Sequence, residues 1–443
     1  MTLLLLACTS QLERGPVEVT LSEAIPTVAT LRFTTLRSTE TLLRFGPVDG
    51  PTTEVLSPTS REHELLLVGM RPQTRHAWQV VALDGDEERE IAHGTLLTGA
   101  APASLTPLRP SGPDHQSRGF VVGSMVTFPA AAVIFDEEGV PVWWHEDGRD
   151  TFFSTRTRLS TDGRSVLYNA YDPSPEGPDA DLTKEVVRVS LDGTQVQHIR
   201  TPEAHHDFVE LPDGTIAYLA FDVRTPDGDD KPVKGDRIVE LRPDGSQREA
   251  WSVWDDFEWS KDQLPEVANW WSHANALDYL PEEDAYLVSL RNFDAIVKVD
   301  RRSGELLWVL GEQGDFDLVG DGTFTHQQHQ FQMLDGGILV FDNRTEEELA
   351  SRVVEYALDE QTGTIEQVWS YQGDLDLYVF GLGSTQRLDT GATVVTWSTA
   401  GQIEEVDADG QLVWRLNADI GAGIGFTTWM EDLYPGPEEL WAR

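Results

Sequence analysis

The chain has 443 residues, 40% of them apolar and 14 of them Trp, which fills more than one core and is too long for one ordinary domain. Its 33 Lys and Arg stand against 76 Asp and Glu, a formal charge of −43, so the surface repels polyanions and no nucleic-acid partner is expected. No stretch reaches the roughly 18 consecutive apolar residues a spanning helix needs.

The only cysteine, Cys8, closes the apolar run "LLLLACTS". Leu-Leu-Ala-Cys resembles a bacterial lipobox, in which Cys8 would be lipidated and become the mature N-terminus. The run before it is short and lacks Lys and Arg, which a start upstream of Met1 explains. Residues 1–16 are therefore expected to be signal, lipobox and tether. The protein is expected to be exported, free of disulfides, and held by its lipid alone at the periplasmic face or cell surface of the outer membrane.

Residues 17–98 alternate apolar and polar positions in short runs such as "VEVTLS", "ATLRFTT" and "HAWQVVALDG", broken by Pro, Gly and Ser, and predict a small β-sandwich. Within it, "LLLVGMRPQTRHAWQVVA" resembles the fibronectin type III signature. Residues 99–114 are rich in Pro, Ala and Ser and are expected to be a linker.

From residue 115 to 443 the chain repeats itself. A β-branched strand, a turn with Gly, and a second strand ending in Trp or another large residue recur six times, from "AAVIFDEEGVPVWW" to "GQIEEVDADGQLVW". The turn glycines are Gly139, Gly193, Gly245, Gly304, Gly363 and Gly410, 47 to 59 residues apart. A further hairpin precedes most copies, for example "LPDGTIAYL" and "MLDGGILVF". Two hairpins per period predict four-stranded blades, and so an all-β chain, a six-bladed propeller behind a fibronectin type III-like sandwich. The irregular stretch 254–271 is expected to be a loop with a helical turn beside the channel mouth.

In a propeller, the start of each inner strand and the loop joining strands two and three open on the same face. His205 and His206 start blade three, His273 and Asn275 blade four, and His329 blade five. Arg291 follows the second strand of blade four, and Asn343 holds the matching place in blade five. All should face one axial pocket. His326 and His329 are three apart, so on an extended strand they would point to opposite faces, leaving His326 at the rim. A metal site built from His-x-x-His and His-His-Asp is the competing reading, opposed by the cationic Arg291 in the same ring.

The motifs "HHDFVELPDGTI", "WWSHANALDYLPEEDAYLVSLRNFDAIVKVDRRSGELLWVLGEQGDF", "QQHQFQMLDGGILVFDN" and "SRVVEYALD" together resemble the bacterial arylsulfate sulfotransferases that work without the nucleotide sulfate donor. The resemblance covers about residues 115 to 435 and implies that His329, in "QHQFQ", is a nucleophile sulfurylated by an aryl sulfate and relieved by a phenol. It makes His273, Asn275 and Arg291 the sulfuryl-binding and acid/base set, and "HHDF" adds His206 or His205. Asn343 joins the substrate-binding residues, and Trp270, Trp271 and Phe331 are candidates to stack on the aryl ring.

The expected partners are a small phenolic sulfate donor and a phenolic acceptor. No cofactor or resident metal is expected, and a homodimer is allowed. The chain departs from the family pattern in lacking cysteines for a disulfide near the site. The alternatives are a non-catalytic surface propeller lipoprotein that binds a glycan or protein, and an aryl sulfate hydrolase.

Overall fold

The structure, a computed structural model, describes residues 16–85, 87–113, 119–172, 183–226, 231–260, 270–348, 350–373, 377–418 and 423–434. Cys8 and the expected lipobox lie outside them.

The N-terminal strands are β1 (Glu18–Leu21), β2 (Ala29–Pro47), β3 (Thr53–Leu67), β4 (Arg75–Asp84) and β5 (Glu87–Leu97), joined in one sheet in the order β1-β2-β4-β5 with β3 also on β2. Strand β2 can pair with three partners because it is 19 residues long. Its first part pairs with β1 and β3 and its last part with β3 and β4, with register shifts between Thr34 and Thr41. Phe33 from one part and Phe45 from the other meet Trp78 and Val80 in a common core.

Six antiparallel sheets follow, each of four consecutive strands except the first. The first blade takes its inner strand, Thr428–Met430, from the far end of the chain and its other three from Phe120–Met125, Ala131–Asp136 and Pro141–Glu146. Two blades carry a fifth strand at the outer edge. Arg109–Ser111, within the expected linker, pairs with Leu412–Asn417 of blade six, and Asp317–Val319 runs parallel to Thr364–Tyr371 of blade five.

The repeat has two physical causes. Each of the six turn glycines joins strands three and four of a blade, and each has a φ between 64° and 84°. That left-handed region costs other L-residues roughly 1–2 kcal/mol. The large residue ending strand four then packs on the next blade. Trp143 of blade one lies among Val166, Tyr168 and Val187 of blade two, Trp251 of blade three reaches Tyr286 and Val288, and Trp308 of blade four reaches Phe331 and Ile338. Trp414 of blade six closes the ring against Val133 and Phe135 of blade one. In blade two the position is filled by Ile199, against Ile216 and Tyr218.

The sandwich docks at the end of the propeller that carries these turns. Ser22 Oγ donates to Asp192 O at 2.6 Å, Thr27 Oγ1 to Val142 O at 2.7 Å, and Arg71 pairs with Asp136 at 2.5 Å. Tyr434 OH donates to Leu66 O at 2.9 Å and accepts from Val68 N at 2.8 Å. The opposite end, where the inner strands begin, is left clear.

Candidate active site

At that clear end the inner strands begin irregularly. In blade three the pairing jumps from Ala204↔Ala220 to Phe208↔Tyr218, and in blade four from Ala274↔Leu290 to Ala276↔Ser289. In blade five the inner strand begins only at Phe331. At or just before each of these strand starts stands a left-handed residue that is not glycine: His206 at φ 50°, His273 at 52° and Gln327 at 53°. Such residues cost about 1–3 kcal/mol each and persist only where neighbours over-determine them. Here they accompany the breaks in sheet register from which the His206 and His273 rings come together.

His206 and His273 come together with ring centroids 5.1 Å apart. Trp270 lies between the two blades, stacked on His273 and 5.3 Å from His206. Buried Asp236 fixes this corner. Its Oδ1 accepts from Trp270 Nε1 at 2.9 Å, and its Oδ2 from Ser272 Oγ at 2.5 Å and Ala274 N at 2.7 Å. His205 Nε2 also lies 3.0 Å from Asp236 Oδ1, and its ring packs on Phe221 at 4.4 Å. His205 is therefore turned to the wall behind Trp270, and His206 faces His273.

His329 is buried beside Asn343, with Nδ1 2.7 Å from Asn343 Oδ1. Asn343 Nδ2 donates to Val379 O at 2.7 Å and Leu382 O at 2.9 Å. Carbonyl oxygens only accept, so the amide nitrogen must face them and Oδ1 must face the imidazole. The proton therefore sits on Nδ1 and the lone pair on Nε2 of His329.

Arg291 follows strand Ala285–Leu290 and donates to Gln327 Oε1 at 2.5 Å and Asn292 Oδ1 at 3.1 Å. It has no carboxylate ion pair among the described residues. Burial pulls its pKa down, opposed by Tyr378 and Asp294 nearby. Burial also holds His273 down to about 2 and His329 to about 3, with Arg291 adding repulsion at both. His206 is driven well below its ordinary value, first by burial and then by His273, His205, His329 and Arg291. Three neutral imidazoles thus lie within electrostatic reach of one guanidinium that forms no carboxylate ion pair among the described residues, on a strongly acidic protein.

Asn275 is fully buried. Its Nδ2 donates to Gln328 O at 2.8 Å, tying blade four to the backbone beside His329, and its Oδ1 has no hydrogen-bond partner among the described residues. Its amide N–H groups are thus directed at the frame of the pocket. His326 stands 3.1 Å from Glu348, and the chain from 326 to 330 is not an extended strand, so the alternation argument for the two histidines does not apply. The left-handed Gln327 separates them instead.

Of the aromatics expected to meet a substrate ring, Trp271 and Phe331 are core residues, 0% and 2% exposed. Sequence reasoning passed over Asp236, Gln327, Tyr378 and Phe426. Phe426, 6.3 Å from the His329 ring, comes from the C-terminal segment that closes the propeller. "DLYVFG" at 376–381 was the available signal for Tyr378, an apolar run outside any repeat. Among its described residues, stretch 254–271 contributes the helical turn that starts at Val253 and ends at Asp256, and Trp270.

Comparison with known proteins matches residues 108–414 to the model of the family Arylsulfotransferase (ASST). Arylsulfate sulfotransferase AssT of Escherichia coli O6:H1 is 23% identical over 376 residues, covering 62% of this chain and 60% of that protein, so the chain spans about three fifths of that relative. Among solved structures, one from the nidogen/laminin complex covers 70% of this chain and 97% of its own at TM-score 0.44 and 11% identity. Streptogramin B lyase covers 71% and 87% at TM-score 0.40 and 12% identity.

Proposed function

The chain belongs to the arylsulfotransferase family, and on that premise we propose that it moves a sulfuryl group from a phenolic sulfate ester to a phenol through His329, without a nucleotide sulfate donor. The observation that carries this reading is the Nε2 lone pair of neutral His329 within electrostatic reach of an Arg291 that has no carboxylate ion pair among the described residues.

In the first half-reaction His329 Nε2 forms a bond to sulfur while the bond from sulfur to the aryl oxygen breaks. Charge spreads over the three sulfuryl oxygens, where a planar guanidinium is the suitable partner. The cationic character that His329 gains is stabilised by its Nδ1–H bond to Asn343 Oδ1. His273 or His206 delivers a proton to the departing phenolate oxygen. Burial and Arg291 keep both neutral, and an arriving sulfate ester offsets the repulsion from Arg291, so the proton is taken up with the anion.

In the second half-reaction an acceptor phenol gives its proton to the same imidazole, its oxygen attacks sulfur, and the N–S bond breaks. Incubation with a chromogenic aryl sulfate, with and without added phenol, tests this. Turnover that needs the phenol supports transfer, turnover without it supports hydrolysis, and none removes both. Export with lipidation at Cys8 is proposed alongside, and Cys8→Ala should leave an unprocessed or mislocalised precursor.

A further inference from the structure

A left-handed histidine at φ 50° needs something to hold it. The irregular pairing around residues 205–207 takes the His206 carbonyl out of its own sheet, and blade two supplies its partners instead. Asn169, on strand Ser165–Tyr171 and fully buried, donates from Nδ2 to His206 O at 2.7 Å. Thr155 Oγ1 donates to the same oxygen at 3.1 Å.

The orientation of Asn169 is fixed by its other contacts. Its Oδ1 accepts from Thr155 N and Arg156 N, both at 2.9 Å, and from Ser154 Oγ at 3.1 Å. Backbone N–H groups only donate, so the carboxamide cannot be turned over, and Nδ2 must point at His206. Arg156 Nε stands 3.2 Å from Asp207 Oδ1, gripping the next residue along.

We propose that Asn169 is a positioning residue, which holds the His206 backbone in its left-handed conformation and so aims the imidazole at His273 and at the oxygen that gains or loses a proton. Asn169 does not touch the substrate. The proposal rests on the sulfuryl-transfer reading of the pocket.

The test is the Asn169→Ala variant of the full-length protein with aryl sulfates of graded leaving-group basicity. A displaced general acid matters most where the leaving phenolate is most basic. The kcat should fall on the order of 100-fold for the most basic leaving group and less than about fivefold for a nitrophenyl sulfate, with KM nearly unchanged. Asn169→Asp adds a pH readout. Its protonated carboxyl can still donate to His206 O and its carboxylate cannot, so its activity relative to the native protein should decline as pH rises.

An equal loss across all donors, or a loss carried by KM, overturns the proposal. If Asn169→Ala does not fold, Thr155→Val removes the second donor to the same carbonyl and should show the same leaving-group pattern at smaller amplitude; a flat pattern there also overturns it. A crystal structure of the variant separates this proposal from the functional reading. If the native protein transfers from no aryl sulfate, the functional reading fails. A His206 still near φ +50° in the variant sinks the positioning role whatever the activity.

Discussion

Trp270 lies flat on His273, with ring centroids 4.0 Å apart and planes within 5° of parallel. One face of the imidazole is thereby closed, leaving its edge and its other face to meet a substrate. The indole is itself anchored through Nε1 to Asp236, so the stack is held from behind. Trp270→Phe keeps an aromatic face and loses the anchor, whereas Trp270→Leu loses both. We expect kcat/KM to fall about threefold in the first and at least tenfold in the second, each tenfold being about 1.4 kcal/mol. Steady-state kinetics with one donor and one acceptor check this, and equal losses would assign the effect to the anchor alone.

His329→Asn should abolish transfer and leave no covalent adduct, because no shape-preserving amide replaces the imidazole lone pair. His326→Asn should cost tenfold at most, on the order of 1 kcal/mol, since His326 stands against Glu348 at the rim. Intact-protein mass after exposure to an aryl sulfate reads the added sulfuryl group. An adduct that survives in His329→Asn and is lost in His326→Asn assigns the wrong histidine here.

Arg291→Lys keeps the charge and loses the planar fork. We expect a fall in kcat/KM on the order of 100-fold, comparable to removing a positioned transition-state donor, and a larger one for Arg291→Gln. Kinetics of the two variants against the native protein decide. A lysine variant with native rates would mean that the guanidinium geometry is unused.

The depressed histidines also make stability depend on pH. An imidazole in the unfolded chain titrates near 6.5, whereas in the pocket burial holds His329 down to about 3 and His273 to about 2. As pH falls from 6.5 toward 3, the unfolded chain takes up protons that the folded pocket refuses, so these groups make unfolding easier on acidification. The urea midpoint of the native protein should therefore fall relative to that of a His273→Asn/His329→Asn double variant as the pH falls from 7 to 4.5. A constant difference across that range would contradict the argument.

Two turn glycines separate backbone strain from packing. At Gly245, φ is 84° and an added Cβ meets nothing within 4 Å, so Gly245→Ala should cost about 1–2 kcal/mol through the backbone alone. At Gly193, φ is 71° and the Cβ would lie 2.8 Å from Ile25 of the docked sandwich. Gly193→Ala should destabilise the protein further, by loosening that contact. Thermal unfolding of both variants gives the comparison.

The blade count was legible because its causes are local. A left-handed turn demands glycine every time, and a strand-four aromatic such as Trp251 or Trp308 must cover the next blade. The grouping of His206, His273, Arg291 and His329 followed from equivalent places in successive blades. Other features were not legible because long-range partners decide them. Nothing in "TTWM" says that it completes a sheet begun at Phe120. Trp271 and Phe331 look like their site-lining neighbours in sequence, and only inter-blade packing makes them core. The alternation assumed between His326 and His329 does not hold, because a left-handed Gln327 stands between them and the chain there is not a strand.

The first blade borrows its inner strand, Thr428–Met430, from the far end of the chain, and the adjoining Phe426 backs the His329 ring. A nascent chain can thus build five blades while its pocket still lacks a wall. Joining Phe120 to Met430 closes a loop of about three hundred residues, the kind of pairing that forms late. Sulfuryl-transfer chemistry would then be withheld from the protein until its last strand is in place, so that only a finished ring is armed.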